Sequence, residues 1–214
     1  MEFSTIVPGP VMATIRLFAA EKDTRQYING VCVEVSQLET RLIATNGHVV
    51  AAYRVRQENS AVYQPFSFIV PIELFKKVLP KKGNVTLRAT LPGNGRTEDA
   101  AQCGVEQAGV IMRAPSIVGG FPDYRRVFPR ETSGEVAMLG GEYLGLIEHI
   151  QKNINGNWGV RIDYNGLGPA LLRTFDENFT AAIMPMHPRA NREGEEIEFP
   201  LRDWIFDYPK DGEL

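Results

Sequence analysis

The chain has 214 residues, enough for one large domain or two modest ones. At 43% hydrophobic, 23% charged and a net charge of −3, it reads as an ordinary soluble globular protein. It lacks the global basic signature of a nucleic-acid binder, although a local basic face can sit on an acidic body. No apolar run approaches the roughly 20 residues of a membrane span, and the N-terminus shows no basic region followed by an apolar core, so no membrane association and a cytoplasmic location are expected. Cys32 and Cys103 each sit in or beside an apolar strand-like run, which favours reduced core cysteines over a disulfide.

Met1 to Val7 alternates loosely and predicts a first strand, broken by Pro8-Gly-Pro10. Val11 to Lys22 carries Val11, Met12, Ile15, Leu17, Phe18 and Ala19 at helical spacing, with Pro10 suited to the first turn. Tyr27 to Val35, Thr40 to Thr45 and His48 to Val55 then read as strands. This unit is β-α-β-β-β. Ser67 to Val70 starts it again, followed by a helix over Pro71 to Leu79 and a strand over Asn84 to Thr90. A polar, Gly-rich loop spans Leu91 to Ala101, and one or two strands span Cys103 to Ala114. Asp123 to Glu135 reads as a linker. A third copy comprises a strand at Val136 to Leu139, a helix at Gly141 to Asn153, and strands at Trp158 to Tyr164, Pro169 to Phe175 and Phe179 to Met186. Internal repetition of one supersecondary unit is the strongest architectural signal in the chain. From Arg189 the sequence becomes charged and loop-like, with a partly alternating stretch at Ile197 to Tyr208.

Arg41-Leu-Ile-Ala-Thr-Asn-Gly-His-Val-Val50 is a hairpin, because Asn46 and Gly47 tolerate positive φ at its turn. Alone it says nothing of function. Taken in order with Phe68-Ile-Val-Pro71, Phe121-Pro-Asp-Tyr-Arg-Arg-Val127 and Met184-Pro185-Met186, it resembles the bacterial sliding clamp family, the β subunit of DNA polymerase III. Residues 1–129 resemble the middle clamp domain, and residues 136–186 resemble the second half of the last domain. Three departures stand out. Nothing corresponds to the first clamp domain or to half of the last, Val49 stands where the family usually has Arg, and the chain runs on past Met-Pro-Met.

The resemblance implies an α+β DNA-clamp fold, three β-α-β-β-β units with helices on one face of antiparallel sheets. The expected division is a complete clamp-like domain over 1–129, a half domain over 130–188, and a charged loop and tail over 189–214. It implies a peptide-binding pocket with one wall from Thr45, Gly47, His48, Val49 and Val50, another from Pro122, Arg126 and Val127, and a third from Ile183, Met184, Pro185 and Met186. Methionine suits such a surface because its thioether adapts to varied side chains. Without the resemblance these residues would read as turn, linker and core strand.

The implied partners are DNA polymerases or other proteins carrying clamp-binding peptides, and double-stranded DNA held without sequence preference by a homo-oligomer. Threading DNA needs positive charge on the helices, and Arg16, Lys22, Arg25, Lys76, Lys77 and Lys152 lie on or just after them. Tyr27 would lean on a sugar or base. Exposed Lys and Arg are more often simply solvated. A reading from a different class is a clamp-derived interaction module that never encircles DNA and occupies clamp-binding motifs as a regulator or decoy. No enzyme is expected: Gly-rich phosphate loops, Gly-x-Ser-x-Gly and His-Glu-x-x-His are absent from the sequence. No cofactor is expected, and the three histidines and two cysteines lack metal-ligand spacing.

Overall fold

A computed structural model describes residues 2–77, 83–91 and 102–187, with the side chain of Lys77 outside the description. The order of elements is β1 (Glu2–Pro8), α1 (Gly9–Ile15), β2 (Gly30–Val35), β3 (Thr40–Thr45), β4 (Val49–Val55), β5 (Phe66–Pro71) and α2 (Ile72–Lys77). It continues with β6 (Asn84–Thr90), β7 (Gln102–Gln107), β8 (Val110–Pro115), α3 (Gly141–Leu144), α4 (Leu146–Asn153), β9 (Arg161–Asp163), β10 (Ala170–Arg173) and β11 (Phe179–Ile183). Every named strand pairing is antiparallel.

Two sheets result. One has four strands in the order β1-β6-β7-β8. The other has seven, in the order β5-β2-β3-β4-β11-β10-β9, so β11 joins β4 across a long stretch of sequence. The period-2 side-chain alternation of a strand decides what each face buries. One face of the larger sheet carries Val31, Val33, Leu42, Ala44, Val49, Ala51, Leu172 and Ile183. These pack with Val11, Met12 and Ile15 of α1, Ile72, Leu74 and Phe75 of α2, and Ile150 of α4; Val85, Leu87 and Val105 from the smaller sheet complete the same core. The opposite face carries Cys32, Ile43, Val50, Ala52, Ile69, Leu171 and Ala182, and a second cluster forms where Tyr124, with Ile117, Phe121, Val127 and Phe128, covers it.

The first helix is shorter than its apolar spacing predicts. After α1 a 3-10 turn covers Arg16–Phe18, and Ala19 is already extended at ψ 151°. The chain must leave the helix there, because the Ala20 amide donates to the Ile28 carbonyl and Lys22 adopts φ 60°. The helix expected over Gly141 to Asn153 is interrupted at Gly145. The strand expected at Val136 to Leu139 is reduced to an isolated bridge, Met138 to Met186. Where the sequence predicts only linker, Tyr124–Val127 forms a 3-10 turn. Both cysteines are free and buried. The remainder of the predicted second helix beyond Lys77, the 92–101 loop and the tail from 188 lie outside the described residues.

Candidate functional site: the hairpin turn and the Met184–Met186 strand end

The turn between β3 and β4 is built by its own side chains. Thr45 Oγ1 donates to the Val49 carbonyl at 2.7 Å and accepts from the Gly47 amide at 3.1 Å. Asn46 Oδ1 accepts from the His48 and Val49 amides at 2.9 and 3.0 Å. Gly47 sits at φ 93°, a left-handed conformation that L side chains resist. This self-bonded turn holds His48 outward while Val49 and Val50 are both 2% exposed.

β11 brings the C-terminal segment to that turn. Ile183 lies opposite Val49, and one residue on the Met184 amide donates to the His48 carbonyl at 2.8 Å. The Met186 amide then donates to the Met138 carbonyl at 2.8 Å. Met184 is 36% and Met186 50% exposed, an unusual display for two methionines in adjacent places. The His48 ring stacks on Tyr143 of α3, with centroids 5.8 Å apart and planes 18° from parallel. A Cβ on Gly140 would meet Tyr143 at 3.1 Å and the Met186 sulfur at 3.7 Å, so this glycine lets helix start, tyrosine and methionine crowd together. Tyr143, Met138 and Gly140 escaped the reading of the sequence; the one available signal was an aromatic in the first turn of a helix that follows two glycines.

The predicted walls are distributed over two faces. Val49 and Ile183 belong to the helix-side core, whereas Val50 and Val127 belong to the opposite cluster. Pro122 and Arg126 are exposed on the segment that covers that second cluster, and Pro185 is half-buried. His48, Met184 and Met186 come together at the strand ends. Arg25 lies at the same turn: a Cβ on Gly47 would fall 3.1 Å from its guanidinium, which is also bound to Asp23 at 2.9 Å. Hydrogen bonds from Arg25 hold the half-buried Asp23 carboxyl down at about 2. Tyr27 packs against Gly119 and the second cluster.

The other cations have varied settings. Lys76 is paired with Glu21 at 2.9 Å and Glu73 at 3.1 Å, and Lys152 with Glu148. Lys22 is exposed, and Arg16 is half-buried with its Nε lacking a hydrogen-bond partner among the described residues.

The covering segment is anchored by charge. Tyr124 Oη donates to Glu34 at 2.9 Å, and the Arg125 guanidinium grips the same carboxylate at 2.6 Å. Burial first, then the Glu34 charge, pushes the Tyr124 phenol up to about 12. Beside this anchor a concavity of about 430 Å³ opens, lined in part by Glu34, Glu39, Arg41, Phe66 and Arg125. No residue of the predicted peptide pocket lines it. The ion pairs Arg41–Glu39 and Arg125–Glu34 stand among its walls beside the apolar Val35, Pro65 and Phe66. Among the described residues no group of three or more His, Cys, Asp or Glu is arranged to hold a metal ion. Among them, too, no helix is long and apolar enough to cross a membrane.

The repeated β-α-β-β-β order, the paired antiparallel sheets and the helices on one face define a DNA-clamp fold. Comparison with solved structures agrees. The DNA polymerase III subunit β of Pseudomonas aeruginosa superposes with a TM-score of 0.62 over 86% of this chain and 66% of that one, at 17% identity. The DNA polymerase sliding clamp of Bacillus subtilis gives 0.62 over 87% and 65%, at 14% identity. By sequence, the β sliding clamp of Proteus mirabilis is 29% identical over 122 residues, 55% of this chain and 30% of the relative. That of Salmonella typhimurium is 30% identical over 116 residues, 52% of this chain and 28% of the relative. No family model matches the chain. The chain thus has the fold of DNA polymerase III β subunits and is related in sequence, over about half its length, to the bacterial β sliding clamps. The matched stretch spans less than a third of those curated relatives.

Proposed function

We propose that this protein is a clamp-type accessory factor of DNA replication or repair. It tethers polymerase-type partners through a peptide pocket at the β3–β4 turn and encloses double-stranded DNA as a homo-oligomer. It performs no catalysis itself. Residues 1–129 act as a complete clamp-like domain and residues 130–188 as a half domain that supplies the last wall of the pocket.

The observation that carries this reading is the hydrogen bond from the Met184 amide to the His48 carbonyl. It seats two exposed methionines beside a ring stack on one side of a rigid turn. Flexible thioethers next to flat rings suit an apolar peptide with aromatic or leucine anchors. The pocket that such a peptide meets is taken to run from His48, Met184 and Met186 over Val50 towards Pro122, Arg126 and Val127.

Fluorescence anisotropy with a labelled clamp-binding peptide tests the pocket. Met184→Ala combined with Met186→Ala should weaken binding by about tenfold or more, since anchor contacts dominate such affinities. Both side chains are partly exposed, so the fold should survive. Unchanged affinity in the double variant overturns the pocket. Enclosure has its own test. Protein loaded on nicked circular DNA should stay bound through high salt and be lost when the circle is cut; equal loss from both forms overturns it.

A further inference from the structure

The described residues end at His187, one position beyond Met186. The Met186 amide is tied to the Met138 carbonyl, so the chain enters residues 188–214 from the rim of the proposed pocket itself. The composition changes there. Residues 189–214 carry eight Asp and Glu against four Arg and Lys, a net charge of −4, which leaves residues 1–188 at +1 within the whole chain's −3. Inside this stretch Leu201, Trp204, Phe206 and Tyr208 are interleaved with Asp203 and Asp207. In an extended segment the period of two sets Trp204, Phe206 and Tyr208 on one side and both aspartates on the other.

The site beside the root of this stretch offers the matching chemistry. Met184 and Met186 are partly exposed, and the His48 ring lies stacked on Tyr143. Thioethers and flat rings favour aromatic side chains over aliphatic ones. The margins are cationic: the Arg25 side chain, at the turn, is 47% exposed, and Arg126 is exposed on the covering segment. An apolar floor with cations at its edge suits a segment that alternates aromatic and acidic residues. Asn191 and Gly194 stand between His187 and Ile197, residue types that let a chain reverse direction. The intervening residues can span roughly 30 Å when extended, ample for a return to the rim.

We propose that residues 197–208 fold back onto the His48–Met184–Met186 site of their own chain and cap it, so that a partner's peptide binds by displacing them. This inference rests on the proposed peptide pocket and adds its regulation. A tether holds its ligand at an effective concentration of about 1 mM, so a contact of only about 0.1 mM intrinsic affinity already weakens a competing peptide about tenfold. The site is thereby closed to weak, unspecific peptides and open to one with stronger anchors.

The probe for the test is a fluorescein-labelled synthetic peptide of residues 195–208, titrated by anisotropy against the full chain. The wild type should bind it about tenfold more weakly than the full chain carrying Trp204→Ala and Phe206→Ala, whose own cap no longer competes. Adding Met184→Ala and Met186→Ala to that variant should abolish the gain. Equal binding by wild type and tail variant overturns the cap, and so does absence of binding to either; the labelled clamp-binding peptide then decides separately whether the pocket stands. A gain that survives loss of both methionines puts the tail on another surface, with the exposed, edge-to-face Trp158–Phe175 pair as the rival, and also overturns the cap. An equimolar mixture of chains lacking the two methionines and chains lacking the two tail aromatics should bind as the tail variant alone does. Suppression to the wild-type level in that mixture means that the tail comes from a second copy and overturns the contact within one chain.

Discussion

At the scale of single residues, the β3–β4 turn depends on a backbone conformation and not on burial. Gly47 has φ 93°, and any Cβ there would press on the Arg25 guanidinium at 3.1 Å. Gly47→Ala should therefore cost about 1–2 kcal/mol of stability, read from the urea midpoint at constant m. A cost near zero would mean that the turn can flip to another type. Asp23 provides a titration at the same turn. Its folded carboxyl is held at about 2, well below the usual 3.8, by hydrogen bonds from Arg25. A depressed acid stabilises the fold in full above its unfolded value and loses that contribution as pH falls through the folded one. The stability that the Asp23–Arg25 clasp contributes should thus be complete above about pH 4 and fall away as pH drops to about 2, where the folded carboxyl is half protonated. NMR titration of the Asp23 carboxyl checks this; a midpoint near 3.8 would show that the clasp does not form in solution.

At the scale of elements, the segment after β8 works as a strap. Ser116 Oγ accepts from the Ile69 amide at 2.9 Å and donates to the Ile69 carbonyl at 3.1 Å, and the Ile117 amide reaches the same carbonyl at 3.0 Å. The strap thereby satisfies part of the outer edge of β5 and carries Phe121, Tyr124 and Val127 onto the second cluster. Ser116→Ala would leave the buried Ile69 amide unbonded, for a loss of about 1–3 kcal/mol. Equilibrium unfolding measures it, and a neutral result would mean that the amide finds another acceptor. Helices α1 and α4 meet in a similar way, with Asn153 Nδ2 donating to Thr14 Oγ1 at 3.0 Å beside the fully buried Ile150. That contact joins the first and third repeats into one core.

At the scale of the whole molecule, two of the helix cations among the described residues are held in ion pairs within the chain. Lys76 has two glutamates and Lys152 has one. Exposed pairs of this kind are weak, yet they leave little net field to hold DNA by affinity. If the chain retains DNA by enclosure, Lys152→Ala should change retention on circular DNA by no more than about twofold. A large drop would mean that Lys152 leaves Glu148 for a phosphate and that direct contacts matter. The same scale sets the outer strands of the two sheets, β1 and β8 of the smaller and β5 and β9 of the larger.

Much of this was legible in the residues. Alternation and helical spacing located most strands and helices to within a few positions, because those periods are local properties of the backbone. The hairpin turn was equally plain, since Asn46 and Gly47 are residues that a left-handed turn requires. The motifs also carried the likeness to clamps. The composition of the site was another matter. Val49 and Val50 are neighbours in sequence, yet alternation sends them to opposite faces of the sheet, and only the partner surfaces reveal which face meets a pocket. Tyr143 reaches His48 across nearly half the chain, and β11 finds β4 over a longer separation still. Contacts of that range leave no periodic trace, because they depend on which faces remain uncovered once every element has packed. The sequence by itself determined the elements, their order and the turn at Gly47. The tertiary structure alone decided that the third repeat docks on the first and that the methionines come to rest beside His48, because burial and edge pairing are settled only among all the elements together.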